Sequence, residues 1–479
     1  MFREKNHSIL QPSNRRAFLK KAAAVVAGAP VMEALLLARK VRAAGDAAVN
    51  GSGWEKIIAP ADPLMVNTVP SPAQLRYQTN QYGAFLHYGP AVFLEGKWDV
   101  VADPKVFNPT ELNVEQWVRV AKSFDAKHLV FSTKHHNGFC LWPTRTTDYS
   151  VRSSPWKNGR GDLIRDVADA CRKHGIGLGL YYSGQDRHFS CFTDNPSVAN
   201  RAAYWPVYKQ QLDELMSNYG ELVCLWLDSY LDPFEPDVIN PATGKPYGGE
   251  IIAMAKAKQP NMVIWGGSQT TLASCSPKED GIAPYPLWNV VRKGQIPPGY
   301  AAPWTEGWVV PEAYNCCGTF AQTVFSPQEL MDQYYKSVGR GANFLQSLVP
   351  DKRGLIQETA VKSLAQFGAE VRRRFGSPLA RTDSRHGWLK PGVLEIALGG
   401  AKKITHVVLE EEIANGQHVL KYSIDVSGSG NWQMVAEGQS IGRKRIERFQ
   451  PAIAAEKVRF RVTQANAIPN ISAMMVCDK

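Results

Sequence analysis

The sequence has few cysteines, and their positions fit no metal-binding module. The 479-residue chain has eight, without the paired spacings that a zinc module requires. Cys171 and Cys224 lie in apolar segments and are interpreted as buried thiols. The pattern excludes a cysteine-based zinc module and does not imply a disulfide framework. The cysteines are at positions 140, 171, 191, 224, 275, 316, 317 and 477.

The sequence also lacks a long uninterrupted apolar run. A transmembrane helix needs roughly 20 consecutive apolar residues. The most apolar part of the N-terminal region, residues 22–38, is interrupted by Pro30 and Glu33. We therefore expect no membrane anchor in the processed protein.

A pair of arginines, Arg15-Arg16, precedes this apolar region, and small residues follow it at Ala43-Ala44. The arrangement resembles a twin-arginine export signal with a cleavage site. It predicts a signal peptide over residues 1–44, a polar linker over 45–72, and a periplasmic or secreted protein.

Basic residues do not form a stripe that would suit nucleic acid. The formal net charge is +11, but residues 1–44 contain nine Lys/Arg and two Asp/Glu, which is +7. The remaining 46 basic and 42 acidic residues give +4 and are not interleaved with aromatic residues. We therefore expect no nucleic-acid partner.

The chain is longer than one core normally organises, and its patterns change near residue 377. Over residues 73–376, strand-like and helix-like segments alternate, which predicts a (β/α)8-like barrel, with a loop-rich region at 266–325. Over residues 377–479, short alternating strands separated by turns predict a β-sandwich that braces the barrel or binds carbohydrate. The predicted strands of the sandwich are 393–398, 404–409, 420–426, 433–437, 445–449, 458–462 and 472–477.

The segment Lys134–Trp142 follows the apolar run His128–Ser132 and combines charged and aromatic side chains. Histidines at the end of a strand supply hydrogen-bond donors and acceptors, and aromatic rings stack on the apolar faces of sugars. The segment is typical of a site that grips a small polar molecule such as a sugar. A structural role, or part of a metal site, is the alternative.

A second apolar run, Leu222–Leu227, ends in Asp228. In a barrel of parallel strands, the carboxyl ends of the strands carry the chemistry. Asp228 is therefore a candidate catalytic carboxylate, although a strand-end Asp is often only a turn or helix cap.

Together these segments resemble glycoside hydrolase family 29, the retaining α-L-fucosidases. The resemblance extends in order from about Tyr82 to the C-terminus, and several segments resemble the branch that cleaves α-1,3- and α-1,4-linked fucose. The segments are Tyr82–Gly89, Asp103–Pro109, Lys134–Trp142, Ser154–Trp156 with Gly161-Asp162, Asp228, and Pro350–Ile356.

The resemblance implies a role for each of two carboxylates. Asp228 takes the position of the nucleophile, and Glu279 that of the acid/base, with Glu312 as the second candidate and Glu306 in the same loop-rich region. The chain departs from the family at Ala273-Ser274-Cys275, where leaving-group recognition is placed in doubt, and at Ser229-Tyr230.

The resemblance also implies a substrate pocket without a metal or cofactor. Three histidines could complete a zinc site, but the family uses such residues to bind sugar hydroxyls. The expected partner is a fucosylated oligosaccharide or glycoconjugate. Alternatives are a related glycosidase for another deoxy or 6-substituted sugar, and an inactive carbohydrate-binding homologue. The predicted substrate-binding residues are His87, Trp98, His135, His136, Trp142, Tyr181 and Trp226, of which Trp98, Trp142 and Tyr181 could instead be ordinary packing.

Overall fold

The structure is a computed structural model. It describes residues 53–60, 62–189, 198–228, 238–265, 272–274, 279–292, 306–315, 324–428 and 430–479. The predicted signal peptide over 1–44, the departures at Ser229-Tyr230 and Cys275, and the Cys316-Cys317 pair lie outside these residues.

Eight parallel strands form the sheet of the first domain, as the sequence predicts. They are hydrogen-bonded in the order β7-β4-β3-β2-β1-β12-β11-β8, and β7 and β8, at the two ends of this order, also contact each other. Most of their side chains are buried, as expected for a barrel covered by helices. The strands are β1 Tyr82–Leu86, β2 His128–Lys134, β3 Gly177–Ser183, β4 Leu222–Asp228, β7 Val263–Trp265, β8 Leu272–Ser274, β11 Val310–Tyr314 and β12 Asn343–Leu348; the small strands between them are β5 Ile239–Asn240, β6 Lys245–Pro246, β9 Val290–Val291 and β10 Gly307–Trp308.

Helices connect these strands, and their ends follow the expected capping chemistry. Asn113 caps the helix that starts at Val114 by accepting the backbone N–H of Gln116, and the Gln116 side chain donates to the backbone oxygen of Ile356. Thus the same pair of residues also ties this helix to the segment after β12. The helices are α1 Pro63–Asn67, α2 Pro72–Thr79, α3 Pro90–Phe93, α4 Val114–Ser123, α5 Leu163–His174, α6 Val198–Asn218, α7 Tyr247–Lys258, α8 Pro327–Lys336 and α9 Glu358–Phe375.

Two strands of the barrel, β8 and β11, lie in the region that the sequence assigns to loops. Strand β8 has three residues, which is too short for a visible alternation. Strand β11 contains Pro311 and Glu312, residue types that argue against a central strand. Because β11 nevertheless pairs with both β12 and β8, residues 310–314 form a barrel strand within the region that the sequence predicts to be loop-rich.

The second domain is a β-sandwich with antiparallel strands in the order β13-β18-β14-β17-β15-β16. Four of the predicted short strands are in fact the halves of β14 and β17, which continue through register shifts. At Gly399-Gly400 both residues have positive φ, so the chain bends within the strand where a turn is predicted. The strands are β13 Ala380–Thr382, β14 Val393–Glu411, β15 Val419–Ser427, β16 Trp432–Gly438, β17 Arg445–Ala465 and β18 Ile471–Cys477.

The sandwich is attached to the barrel through the segment that follows Glu279. The Gln417 amide donates to the backbone oxygen of Leu287 (3.2 Å) and accepts the N–H of Asn289 (2.9 Å). The Ser440 hydroxyl accepts the N–H of Leu287 (3.1 Å). These buried hydrogen bonds support the bracing interpretation of this domain.

The described residues also bear on the expectations about membrane-spanning helices and cysteines. No helix in this part of the chain is long and apolar enough to cross a membrane. The four cysteines among these residues, at 140, 171, 224 and 477, are free and buried, which confirms the interpretation of Cys171 and Cys224.

Candidate active site

A cavity of about 690 Å³ opens at the carboxyl ends of the barrel strands. Because parallel strands end at the same edge of the sheet, residues that are far apart in sequence meet there. His87 follows β1, His135 and His136 follow β2, and Asp228 ends β4. The lining residues are Phe85, His87, Glu95, Gly96, Lys97, Trp98, Asp99, Val100, His135, His136, Tyr181, Trp226, Asp228, Glu279 and Tyr314.

Asp228 is half-buried and held by two neighbours. The hydroxyl of Tyr181 donates to its Oδ2, and Nε2 of His136 lies 3.4 Å from the same oxygen. Burial keeps the pKa of Tyr181 well above its usual value, so that this hydroxyl retains its proton and acts as a donor. A neutral hydroxyl donor therefore orients the carboxylate.

The three histidines of the cavity are neutral. Burial lowers the pKa of His87 to about 3, and lowers the pKa of His135 well below its usual value. The pKa of His136 is also lowered by burial, against the opposing effect of the Asp228 charge. A neutral imidazole has one donor and one acceptor nitrogen, which suits sugar hydroxyls. Nδ1 of His87 is hydrogen-bonded to Ser132, which orients that ring.

Aromatic rings form the apolar walls of the cavity. Trp98 stacks on His135 with centroids 4.5 Å apart. Trp226 stacks on Trp265 at 4.0 Å, and the ring of Phe85 lies 4.9 Å from Trp226. Such walls suit the hydrophobic face and the methyl group of a deoxy sugar.

Glu279 lies at the mouth of the cavity. Its backbone has a φ of 53°, a left-handed conformation that is uncommon outside glycine. The hydroxyl of Tyr314 donates to its Oε1 at 3.2 Å. Although part of the side chain reaches solvent, burial raises the pKa of this carboxyl; the Tyr314 hydrogen bond opposes the rise, and the Asp228 charge adds to it. Glu279 and Asp228 are thus electrostatically coupled across one cavity.

Glu312, the second candidate for the acid/base, lies elsewhere. It is fully buried inside the barrel, where Tyr77 of α2 donates to its Oε2 at 2.8 Å. Burial raises its pKa to about 8. Glu312 and Glu306 are not among the described residues that line the cavity.

Trp142 is the one predicted binding residue that the structure places away from the cavity. It is 2% exposed, packs in the main core, and its indole N–H donates to Glu214 at 2.8 Å. The packing alternative therefore describes Trp142, and its assignment to the pocket is corrected. The other six predicted binding residues line the cavity together with Asp228 and Glu279.

Several lining residues were not predicted from the sequence. Tyr314 ends β11, a strand that was not recognised within the loop-rich region, so its position could not be derived. Phe85 precedes His87 by two residues, and residues on a strand two apart share a face, so that signal was available. The segment 95–100 surrounds the predicted Trp98 and forms the lip of the cavity.

One set of side chains in the cavity could hold a metal ion. His135, His136 and Asp228 each offer a ligand atom, and these atoms lie within 4.8 Å of one another. The set differs from the three histidines considered from the sequence, because Asp228 replaces His87.

A barrel with two coupled carboxylates, neutral histidines and aromatic walls in one cavity defines a carbohydrate-cleaving hydrolase. The sequence model of the family described as α-L-fucosidase matches residues 65–374, and that of the F5/8 type C domain matches residues 370–475. The chain belongs to the α-L-fucosidase family, glycoside hydrolase family 29, and is a glycoside hydrolase of that activity.

Similar proteins support this assignment, and the similarity extends over most of their length. Alpha-L-fucosidase 1 of Arabidopsis thaliana is 31% identical over 86% of this chain and 87% of its own. Putative alpha-L-fucosidase 1 of Oryza sativa subsp. japonica is 32% identical over 86% of this chain and 85% of its own. The crystal structure of a putative alpha-L-fucosidase from Bacteroides thetaiotaomicron has 27% identity and a TM-score of 0.77, covering 86% of this chain and 99% of that one.

Proposed function

We propose that the protein is an exported, retaining exo-α-L-fucosidase that releases terminal α-1,3- and α-1,4-linked fucose from oligosaccharides. The observation that carries the mechanism is that Asp228 and Glu279 face one cavity, where the charge of Asp228 contributes to the raised pKa of Glu279. Retaining glycosidases need such a pair, with the two carboxyl groups roughly 5–5.5 Å apart.

In the first step, an oxygen of Asp228 attacks the anomeric carbon of fucose. The bond to the leaving oxygen breaks, and that oxygen takes the proton of the Glu279 carboxyl. The raised pKa of Glu279 favours the protonated form that this step requires. The product of the step is a fucosyl ester of Asp228.

In the second step, water hydrolyses the fucosyl ester. Glu279, now ionised, accepts a proton from the water, whose oxygen bonds to the anomeric carbon as the bond to Asp228 breaks. Two displacements restore the original configuration at that carbon. The Tyr181 hydroxyl stabilises Asp228 when it leaves as a carboxylate.

Fucose itself would be recognised by the histidines and the aromatic walls. A hydroxyl of the wrong stereochemistry leaves a buried donor or acceptor of His87 or His135 unpaired, which costs about 1–3 kcal/mol. The preference for α-1,3 and α-1,4 linkages is supported by the segments that resemble that branch of the family. Export is supported by Arg15-Arg16 and the apolar region behind them.

Two matched variants test the two roles. Asp228→Asn keeps the shape of the side chain but removes the nucleophile, and we expect activity to fall by several orders of magnitude. Glu279→Ala should lose activity mainly with poor leaving groups, and azide should partly restore it with an activated fucoside. If Glu312→Ala shows the azide-rescued profile and Glu279→Ala does not, the acid/base assignment fails.

Matched substrates test the linkage preference. Purified protein is offered α-1,2-, α-1,3- and α-1,4-linked fucosides, and we expect faster release from the last two. Equal release from all three would contradict the linkage proposal alone.

The export proposal has its own test. Replacement of Arg15-Arg16 by Lys-Lys should trap the unprocessed protein in the cytoplasm, since twin-arginine receptors read the guanidinium pair. Unchanged export would refute the twin-arginine route.

A further inference from the structure

Ser183 lies behind the cavity, at the end of β3. It is fully buried and pairs in register with Asp228 of the neighbouring strand β4. Its Oγ lies 2.7 Å from Nδ1 of His136. Its Oγ also accepts the backbone N–H of Gln185 at 3.1 Å.

These two contacts determine where the serine proton goes. The N–H of Gln185 is a donor, so the serine oxygen accepts there and its own proton remains to be placed. Among the described residues, the neighbouring acceptor is Nδ1 of His136. A buried hydroxyl that donates to no acceptor is costly, so Ser183 donates to Nδ1.

The donation fixes the tautomer of His136. A neutral imidazole with an accepting Nδ1 carries its proton on Nε2. Nε2 lies 3.4 Å from Oδ2 of Asp228, so the N–H faces the carboxylate. The opposite tautomer would place a lone pair against the carboxylate and leave the serine proton without an acceptor.

We propose that Ser183 is a positioning residue that holds His136 in the Nε2–H tautomer, so that this N–H and the Tyr181 hydroxyl together hold Oδ2 of Asp228. The inference rests on the proposed role of Asp228 as the nucleophile. With the Tyr181 hydroxyl hydrogen-bonded to Oδ2 and Nε2 of His136 3.4 Å from the same oxygen, the carboxylate is oriented for attack on the anomeric carbon. Ser183 itself does not touch the substrate.

The kinetic test separates positioning from binding. Ser183→Ala should lower kcat by about tenfold to a hundredfold, the range expected for a hydrogen bond to a charged group, while KM changes by less than about twofold. Ser183→Thr, which keeps the hydroxyl, should recover most of that loss. Unchanged kcat in a folded Ser183→Ala variant overturns the inference.

A spectroscopic test reads the tautomer without reference to activity. Nitrogen NMR of histidine-labelled protein should show an Nε2-protonated His136 in the unchanged enzyme and a mixture of tautomers in Ser183→Ala. An Nδ1-protonated ring in the unchanged enzyme contradicts the inference. Because this result does not depend on turnover, it stands apart from the outcome of Asp228→Asn, which tests the nucleophile.

Ser347 offers a matched control. It is the fifth residue of β12, and its buried Oγ has no hydrogen-bond partner among the described residues. Ser347→Ala removes a similar hydroxyl from the end of a barrel strand. It should leave both kcat and the His136 spectrum unchanged; a loss equal to that of Ser183→Ala would show a general packing effect and overturn the positioning role.

Discussion

The pKa of Glu279 depends in part on a hydrogen bond from one neighbour. Tyr314 donates to Glu279, which stabilises the ionised carboxylate and lowers its pKa, against the larger effect of burial. Tyr314 thus adjusts the pH at which Glu279, the proposed general acid, loses its proton.

Tyr314→Phe should therefore move the alkaline limb of the activity profile to higher pH. Without the hydroxyl the pKa of Glu279 rises, so the protonated acid persists to higher pH, and the measurement is kcat/KM against pH with an unactivated fucoside. Tyr82→Phe is the control, because the buried Tyr82 hydroxyl has no partner among the described residues. A limb that stays in place, or moves to lower pH, contradicts this role of Tyr314.

Glu312 is a structural carboxyl with a strongly raised pKa. Its pKa of about 8 in the folded protein exceeds the usual 4.5. Between these two pH values, the folded protein keeps a proton on Glu312 that the unfolded chain has released, so folding takes up a proton there. Its stabilising contribution is therefore complete below about pH 4.5 and is lost as pH rises to about 8.

Glu312→Gln should make unfolding less dependent on pH over that interval while turnover stays close to that of the unchanged enzyme. The amide cannot ionise, and Tyr77 can still donate to its oxygen. The measurement is Tm at several pH values. The buried Glu411, with a pKa raised to about 7, is common to both proteins and cancels in the comparison. Identical Tm curves would contradict the raised pKa of Glu312.

At the scale of single residues, sequence patterns placed most of the candidate site. Polar residues at strand ends, namely Asp228, His135 and His136, could be predicted because the carboxyl ends of parallel strands converge. Trp142 could not be distinguished from a pocket residue, since a large indole at this position serves equally in a core. Tyr314 could not be placed without knowing that β11 is a strand.

At the scale of elements, the end of β2 is held by a buried ion pair. Lys134 lies 3.2 Å from Asp186, which follows β3, and also donates to Tyr204 of α6 at 2.6 Å. Both charged side chains are almost fully buried, at 0% and 4% exposed. The pair therefore fixes the turn that carries His135 and His136.

Asp186→Asn should destabilise the protein by about 3–5 kcal/mol, because a buried ammonium is left without its carboxylate. The measurement is the free energy of unfolding in urea. The double variant Lys134→Met with Asp186→Leu removes both charges and should recover much of the loss. A single variant as stable as the unchanged protein would contradict the importance of this pair.

The element pattern also shows where sequence reasoning reached its limit. Strands β1 to β4 follow from apolar runs, because each is buried on both faces. Strand β11 was missed because Glu312 faces the interior and Pro311 interrupts the pattern. The long strand β14 was divided because its bend at Gly399-Gly400 resembles a turn in sequence.

At the scale of the whole molecule, the β-sandwich stabilises the segment that follows Glu279. The buried Gln417 makes two hydrogen bonds to the backbone of residues 287–289. Loss of the amide leaves a backbone donor and a backbone acceptor unpaired at the domain junction.

Gln417→Leu should cost about 1–3 kcal/mol of stability for the unpaired groups. We expect a lower Tm together with reduced activity on oligosaccharides. The exposed Gln433→Leu on β16 is the control and should change neither. If Gln417→Leu behaves like this control, the junction does not depend on that amide.

The central claim is that Asp228 becomes covalently fucosylated during turnover. The test uses a fucosyl fluoride that also carries fluorine at carbon 2. The nucleophile displaces the anomeric fluoride and forms a fluorofucosyl ester. This ester hydrolyses slowly because the fluorine at carbon 2 destabilises the oxocarbenium-like transition state. Mass spectrometry of peptides from the inactivated enzyme should show one added fluorofucosyl group, on the peptide that contains Asp228. A label on another carboxylate, or normal turnover with inversion and no label, would contradict the account.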